Sequence, residues 1–213
     1  MQDIRYLNFK DKIDKKKLET VAKKIEKGGV VVFPTETVYG IGTNAFNEEA
    51  VRKIYDIKKR PLSKPISLLV NSIEMIEKIA KNITEVEYKI MESFFPGPLT
   101  IILEKKDIIP DIVTSGEKTV GIRMPDSEIA RLLIQYAGVP LATPSANITG
   151  NKSGIDIKSI MKELDEGVDC YIDGGISKIG EASTIVKVID GVPKILREGK
   201  IKENDILKVI NKI

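Results

Sequence analysis

The cations Lys58, Lys59 and Arg60 follow an amphipathic stretch whose phase separates them. Val51, Ile54 and Tyr55 make an inward stripe, and Lys58, seven residues after Val51, is its next position. Lys59 turns one step away, toward water. Arg60 precedes Pro61 and so favours extended backbone. Lys58 and Arg60 can therefore face one site, where paired positive charge suits an anionic small molecule. The alternative is that they are solvated cations favoured by the negative end of the helix dipole. Just upstream, the apolar residues 30–33 run into Pro34, a polar loop Thr35-Glu36-Thr37 and a Gly40-Ile41-Gly42 element. Glu36 is the only carboxylate of that loop. It can hold a cation or an amine, or act as a turn or cap residue.

Other polar groups recur where apolar runs end. Arg123 lies on the apolar run TVGIRMP, and burial there calls for either an acidic partner or an anionic ligand. Ser145 and Asn147 sit in LATPSANITGNKSG, a loop of short donors able to bind phosphate or ribose. The same residue types also form turns that satisfy their own backbone. Ser183-Thr184 and Arg197-Glu198-Gly199 repeat the theme. No third glycine follows Gly40 and Gly42 at the dinucleotide-fingerprint spacing, and no Walker A loop is present. The chain contains no histidine, which removes Ser-His-Asp and Cys-His catalysis. With one cysteine as well, a zinc site is not expected.

The elements that must position these groups alternate between helix and strand. Leu18, Val21, Ala22 and Ile25 form a helical stripe behind the cap Asp14, ending at Gly28-Gly29. Asn71-x-x-Glu74 and Thr84-x-x-Glu87 read as helix starts. Strands are expected at 99–103, 119–124, 139–143 and 168–172. Further helices carry Ile129, Leu132, Leu133 and Tyr136, then Ile160, Met161 and Leu164, and finally Ile206, Leu207 and Ile210. Asp190-Gly191 predicts a hairpin turn between 185–188 and 195–197, which argues against a purely parallel sheet. The expected architecture is a single α/β domain with a mixed sheet, its ligand crevice among loops at strand ends. The 213 residues, 42% hydrophobic and 31% charged, suit one globular domain. A net charge of +3 does not by itself call for nucleic acid. The start MQDIRYLNFKDK lacks a signal-peptide segment, and no apolar run is long enough to span a bilayer, so the cytoplasm is expected.

In order along the chain, the blocks FPTETVYGIG, KKRP, FFPGPLT, VGIRMP, ATPSAN, ASTIV and LREG cover about Lys17 to Gly199. Together they resemble the YrdC family, the threonylcarbamoyl-AMP synthases of tRNA modification. The resemblance implies one YrdC-like domain over 1–213, a twisted mixed β-sheet with flanking helices around a positively lined concave site. It implies a nucleotidyltransferase that makes threonylcarbamoyl-AMP and pyrophosphate from L-threonine, bicarbonate or CO2, and ATP. The family signature falls on Lys58, Arg60, Ser145 and Asn147, with Lys58 and Arg60 catalytic and near the phosphates. Threonine is implied at Thr35, Arg123, Thr143 and Ser183. The nucleotide is implied at Lys58, Arg60, Thr119, Ser145, Asn147, Ser153 and Arg197. Mg2+ is expected with ATP, and a downstream tRNA threonylcarbamoyl-transfer complex is the implied partner, direct RNA binding being compatible but not required. Two departures stand out. Asp126-Ser127 follow Arg123-Met124-Pro125, where many relatives carry another polar pair. The C-terminal domain of longer relatives is expected to be missing, so that this is the short form. The competing readings are a paralogue acting on another carbamoyl or acyl adenylate, and a non-catalytic RNA-binding module, which the aromatic content of 5% disfavours.

Overall fold

The computed structural model describes residues 5–164 and 166–210, so the ends of the expected 1–213 domain lie outside the described residues. After β1 (Tyr6–Asn8) comes α1 (Lys15–Glu26), where the Asp14 side chain accepts from the Lys17 N–H and Leu18, Val21, Ala22 and Ile25 are buried, as their spacing predicts. β2 (Val31–Phe33) pairs antiparallel with β3 (Gly40–Asn44). The Gly-Ile-Gly element is therefore the start of a strand. Its glycines let neighbours lie flat against the backbone: a Cβ at Gly40 would sit 2.6 Å from Thr143 Cγ2, and one at Gly42 2.7 Å from Thr143 Oγ1 and 2.8 Å from Phe33 Cε1. Because Phe33 and Thr143 are themselves buried, Gly42→Ala should cost about 1–3 kcal/mol by overpacking. Urea denaturation measures this, and an unchanged midpoint would show that the two side chains can yield.

The chain continues through α2 (Glu48–Ile57), β4 (Leu68–Leu69), α3 (Ile73–Ile79) and β5 (Ala80–Lys81). The cap of α3 is Ser72, not Asn71: the Ser72 hydroxyl accepts from the Met75 N–H. Both halves of the Thr84/Glu87 capping box form at the start of α4 (Glu85–Phe94). β6 (Leu99–Lys105), α5 (Asp111–Thr114) and β7 (Thr119–Arg123) follow. In α6 (Glu128–Ala137) the buried face is Ile129, Ala130, Leu133, Ile134 and Ala137. Leu132 and Tyr136 are half-buried on its flank, so the stripe is rotated from the expected one. β8 (Leu141–Ala142), α7 (Ile157–Glu163), β9 (Cys170–Asp173), β10 (Thr184–Ile189), β11 (Val192–Arg197) and α8 (Glu203–Ile210) complete the order. The hairpin joining β10 to β11 turns at Asp190 and Gly191, whose φ values of 52° and 77° suit a primed turn.

One mixed sheet runs β1-β9-β2-β3-β8-β4-β7-β6-β10-β11, with β5 beside β6. The pairs β1·β9, β2·β9, β4·β7 and β6·β10 are parallel, and the others are antiparallel. Helices cover both faces. Within β2, Val31 and Phe33 join the apolar cluster of α1 and α6, while Val32 joins the larger cluster built with α2, α3 and α4. Among the described residues, no helix is long and apolar enough to cross a membrane.

Candidate functional site

The inward stripe of α2 continues into Lys58, which caps the helix and is only 1% exposed. Lys59 takes the left-handed conformation, φ 48°, and is exposed. The Arg60 N–H closes the turn onto Tyr55 O at 2.8 Å, which turns the Arg60 side chain back toward the sheet. Helical phase thus predicts which lysine points inward. What Lys58 meets is main chain: its Nζ donates to Ser145 O and to Asn147 O, each at 2.5 Å. The Thr149 N–H in turn donates to Lys58 O at 2.9 Å. Ser145 Oγ donates to Asn147 Oδ1, and Asn147 Nδ2 donates to Ile148 O and Asn151 O. Three of the four signature residues therefore build the loop after β8 from within. Burial pushes the Lys58 ammonium down to about 8, and the Arg60 charge adds to the shift.

Beside this loop lies a cavity of about 230 Å³. Arg60, Arg123, Thr143, Ser145, Ser153, Ser183 and Arg197 all line it, although they come from distant parts of the chain. Arg60 is held by Lys64 O and Pro65 O at 3.1 and 2.8 Å. Arg197 grips Ser183, donating to its carbonyl at 2.8 Å and to its hydroxyl at 3.2 Å. Ser183 Oγ also lies 2.7 Å from Thr100 Oγ1. Desolvation lowers the Arg197 pKa, and the nearby Arg123 charge lowers it further. Three arginines on one small cavity make it electropositive.

Arg123, at the end of β7, is 7% exposed and has a buried acidic partner: its Nη2 lies 2.7 Å from Glu36 Oε2. Its Nε donates to Gly97 O at 3.2 Å, and Nη2 also reaches Thr35 Oγ1 at 3.5 Å. The close approach to Glu36 is badly aligned for a hydrogen bond, and neither Glu36 oxygen accepts one. Thr35 itself donates to Val38 O at 2.6 Å. Glu36 is neither a cap nor a free turn residue. It lies against Arg123 but, with Thr35, lines the neighbouring cleft rather than this cavity.

On the other side of Thr35 and Glu36 opens a larger cleft, about 640 Å³, rimmed by Lys10, Lys12, Lys15 and Lys178 and by Asp126-Ser127-Glu128. Ser127 ties this rim to the opening loop by donating to Pro34 O at 3.0 Å. The smaller cavity is the better candidate, because it collects the cations and hydroxyls singled out by sequence. Of the residues singled out by sequence, Thr35 lines the larger cleft, Lys58 and Asn147 lie behind the wall, and Thr119 is not among the lining residues either. It opens β7 opposite Glu104, about 13 Å along the strand from Arg123 at the usual rise per residue. Ser67 and Thr100 line the cavity and escaped the sequence reading. Ser67 precedes a two-residue strand too short to recognise, and Thr100 sits inside an apolar strand where a lone threonine carries no signal.

A cationic, hydroxyl-lined cavity at the strand ends of a mixed sheet marks an α/β protein whose site suits a small anion. A family profile described as Sua5_yciO_yrdC, telomere recombination, matches residues 23–199, and the chain belongs to this family. A threonylcarbamoyl-AMP synthase of Pyrococcus abyssi is 39% identical over 207 residues, 97% of this chain and 61% of that protein. A Methanocaldococcus jannaschii protein is 44% identical over 198 residues, covering 93% of each chain. The crystal structure of P. abyssi Sua5 complexed with L-threonine superposes with a TM-score of 0.93 at 39% identity, over 98% of this chain and 61% of that one. The chain thus spans about three-fifths of the P. abyssi relative.

Proposed function

We propose that the chain is a threonylcarbamoyl-AMP synthase, a nucleotidyltransferase serving tRNA modification. The observation that carries this reading is the convergence of Arg60, Arg123 and Arg197 with small hydroxyls on one cavity, in a chain without histidine. Such a cavity suits two anions that react with each other and need no enzyme nucleophile. The name of the P. abyssi relative and the L-threonine in its crystal structure support the choice of substrate. The α-amino nitrogen of threonine bonds to the carbon of CO2 and loses a proton, giving a carbamate. A carbamate oxygen attacks the α-phosphorus of ATP. The bond from that phosphorus to the bridging oxygen breaks, and pyrophosphate leaves.

In this proposal Arg123 takes the threonine carboxylate, with Thr35, Thr143 and Ser183 around the rest of the molecule. Arg60, Arg197, Ser145 and Ser153 take the nucleotide, and Lys58 and Asn147 shape the loop that presents Ser145. Thr119 contributes only if the nucleotide extends along β7 beyond the cavity. The cavity offers hydroxyls and cations rather than a carboxylate cluster, which suits a magnesium ion held by the triphosphate itself. When bound, such an ion would supply positive charge to the departing pyrophosphate. The labile adenylate is then handed to a complex that transfers the threonylcarbamoyl group to tRNA in the cytoplasm.

With Mg-ATP, bicarbonate and L-threonine, the purified protein should release pyrophosphate, and omitting any one of the three should stop it. Pyrophosphate release that continues undiminished without threonine would point to a paralogue with another acyl or carbamoyl substrate and sink this reading.

A further inference from the structure

Glu36 is 9% exposed, and its two oxygens are enclosed without accepting a hydrogen bond, although one lies 2.7 Å from Arg123 Nη2. Its position is not set by that ion pair. The main chain around it is fixed from the other side: Ser177 Oγ donates to Thr35 O at 3.0 Å, the Ile179 N–H to Glu36 O at 2.9 Å and the Gly180 N–H to Thr37 O at 2.8 Å. The fold therefore holds a poorly satisfied carboxylate against the arginine of the cavity. Burying it there is costly, and a stabilising salt bridge would be better aligned.

We propose that Glu36 is a specificity-determining residue that makes the Arg123 subsite choose α-amino acids over carboxylic acids lacking the amine. This deepens the threonine reading above and rests on it. Arg123 alone would attract any carboxylate. Paired with Glu36, it forms a subsite with no net charge in surroundings of low dielectric. A carboxylate anion entering beside it meets attraction from Arg123 and repulsion from Glu36. A zwitterion brings its own ammonium to offset that repulsion. Because the Glu36 oxygens are enclosed, the effect runs through the field and through the orientation of Arg123, not through contact with the ligand. Arg123 keeps Nη1, which makes no hydrogen bond within the described residues, for the incoming carboxylate.

The test compares equilibrium binding of L-threonine and of 3-hydroxybutyrate, which keeps the carboxylate and hydroxyl but has no amine. The wild type should prefer threonine. In Glu36→Gln, which keeps the length and an acceptor for Arg123, that preference should shrink on the order of 10- to 100-fold, the scale of one charge interaction in a partly screened site. Glu36→Asp, which keeps the charge, should retain it. A Glu36→Gln variant that weakens both ligands equally, or changes neither, overturns the proposal. Should Glu36→Gln fail to fold, equal affinity of the wild type for the two ligands overturns it without any variant. A wild type that prefers threonine yet releases no pyrophosphate from Mg-ATP, bicarbonate and threonine would retire the synthase reading and leave the role of Glu36 standing.

Discussion

Arg123→Lys is expected to weaken L-threonine binding on the order of 10- to 100-fold while the protein stays folded. The guanidinium now serves two directions at once, donating from Nε to Gly97 O at 3.2 Å and meeting Glu36 through Nη2 at 2.7 Å. Its planar shape leaves the remaining N–H groups in a fixed fork for a carboxylate. A lysine ammonium is a single point on a flexible stem. It can neutralise Glu36 or reach a ligand, but it cannot present two parallel donors to one. A charge-assisted hydrogen bond contributes about 1.5–3 kcal/mol, which sets the expected loss. Calorimetric titration with threonine, alongside a thermal melt, measures both quantities. Wild-type affinity in a folded Arg123→Lys protein would leave the arginine with only one task, neutralising Glu36.

Lys58→Ala is expected to lose both stability and turnover. Helical phase predicts an inward lysine, and the family resemblance places it near the phosphates. The structure revises this, because Lys58 is 1% exposed and its Nζ is 2.5 Å from both Ser145 O and Asn147 O. Alanine would leave the Asn147 carbonyl unpaired, at about 1–3 kcal/mol, reduce Ser145 O to its bond from the Asn147 N–H, and open a void along the former stem. For a chain of this size that corresponds to a drop of roughly 5–15 °C in melting temperature. Turnover should fall on the order of 10- to 100-fold, since the loop that loses its clamp forms part of the cavity wall. Lys58→Met, which refills the space, should recover part of the stability but not the loop. Lys59→Ala should resemble the wild type, because Lys59 is exposed and touches none of these groups. Matching losses in the Lys58 and Lys59 variants would refute the clamp.

Features written in a few consecutive residues were legible before any coordinates. The α1 stripe, the Thr84/Glu87 box, the Asp190-Gly191 hairpin and the inward phase of Lys58 all depend on local geometry. What escaped depends on partners remote in sequence. Gly40, Ile41 and Gly42 form a strand because Phe33 and Thr143 press against the bare backbone, and nothing within those three residues says so. β4 and β5 are two residues each and exist only through pairing. Asn71 and Ser72 are both competent caps, and the chain's entry angle decides between them. Arg123 pointed to a buried acid or an anionic ligand. Choosing Glu36 from the many acids required the fold, since the two residues lie far apart in the sequence. Of the residues implied by the blocks shared with the family, Arg60, Arg123, Thr143, Ser145, Ser153, Ser183 and Arg197 line the cavity, while Lys58 and Asn147 lie behind its wall, Thr35 lines the neighbouring cleft and Thr119 is outside the lining.

The strand order has a consequence for how occupancy is felt. The walls of the cavity come from the β2–β3 connection, the Arg60 turn, the ends of β7 and β8, and the β10–β11 hairpin, and the sheet interleaves these far out of chain order. The walls built on strands share ladders, so loosening one disturbs the pairing that positions another. A bound substrate therefore acts as a keystone. It should raise the free energy of global opening, by about 2.7 kcal/mol at a hundredfold excess over its dissociation constant, and slow hydrogen exchange in strands that never touch it.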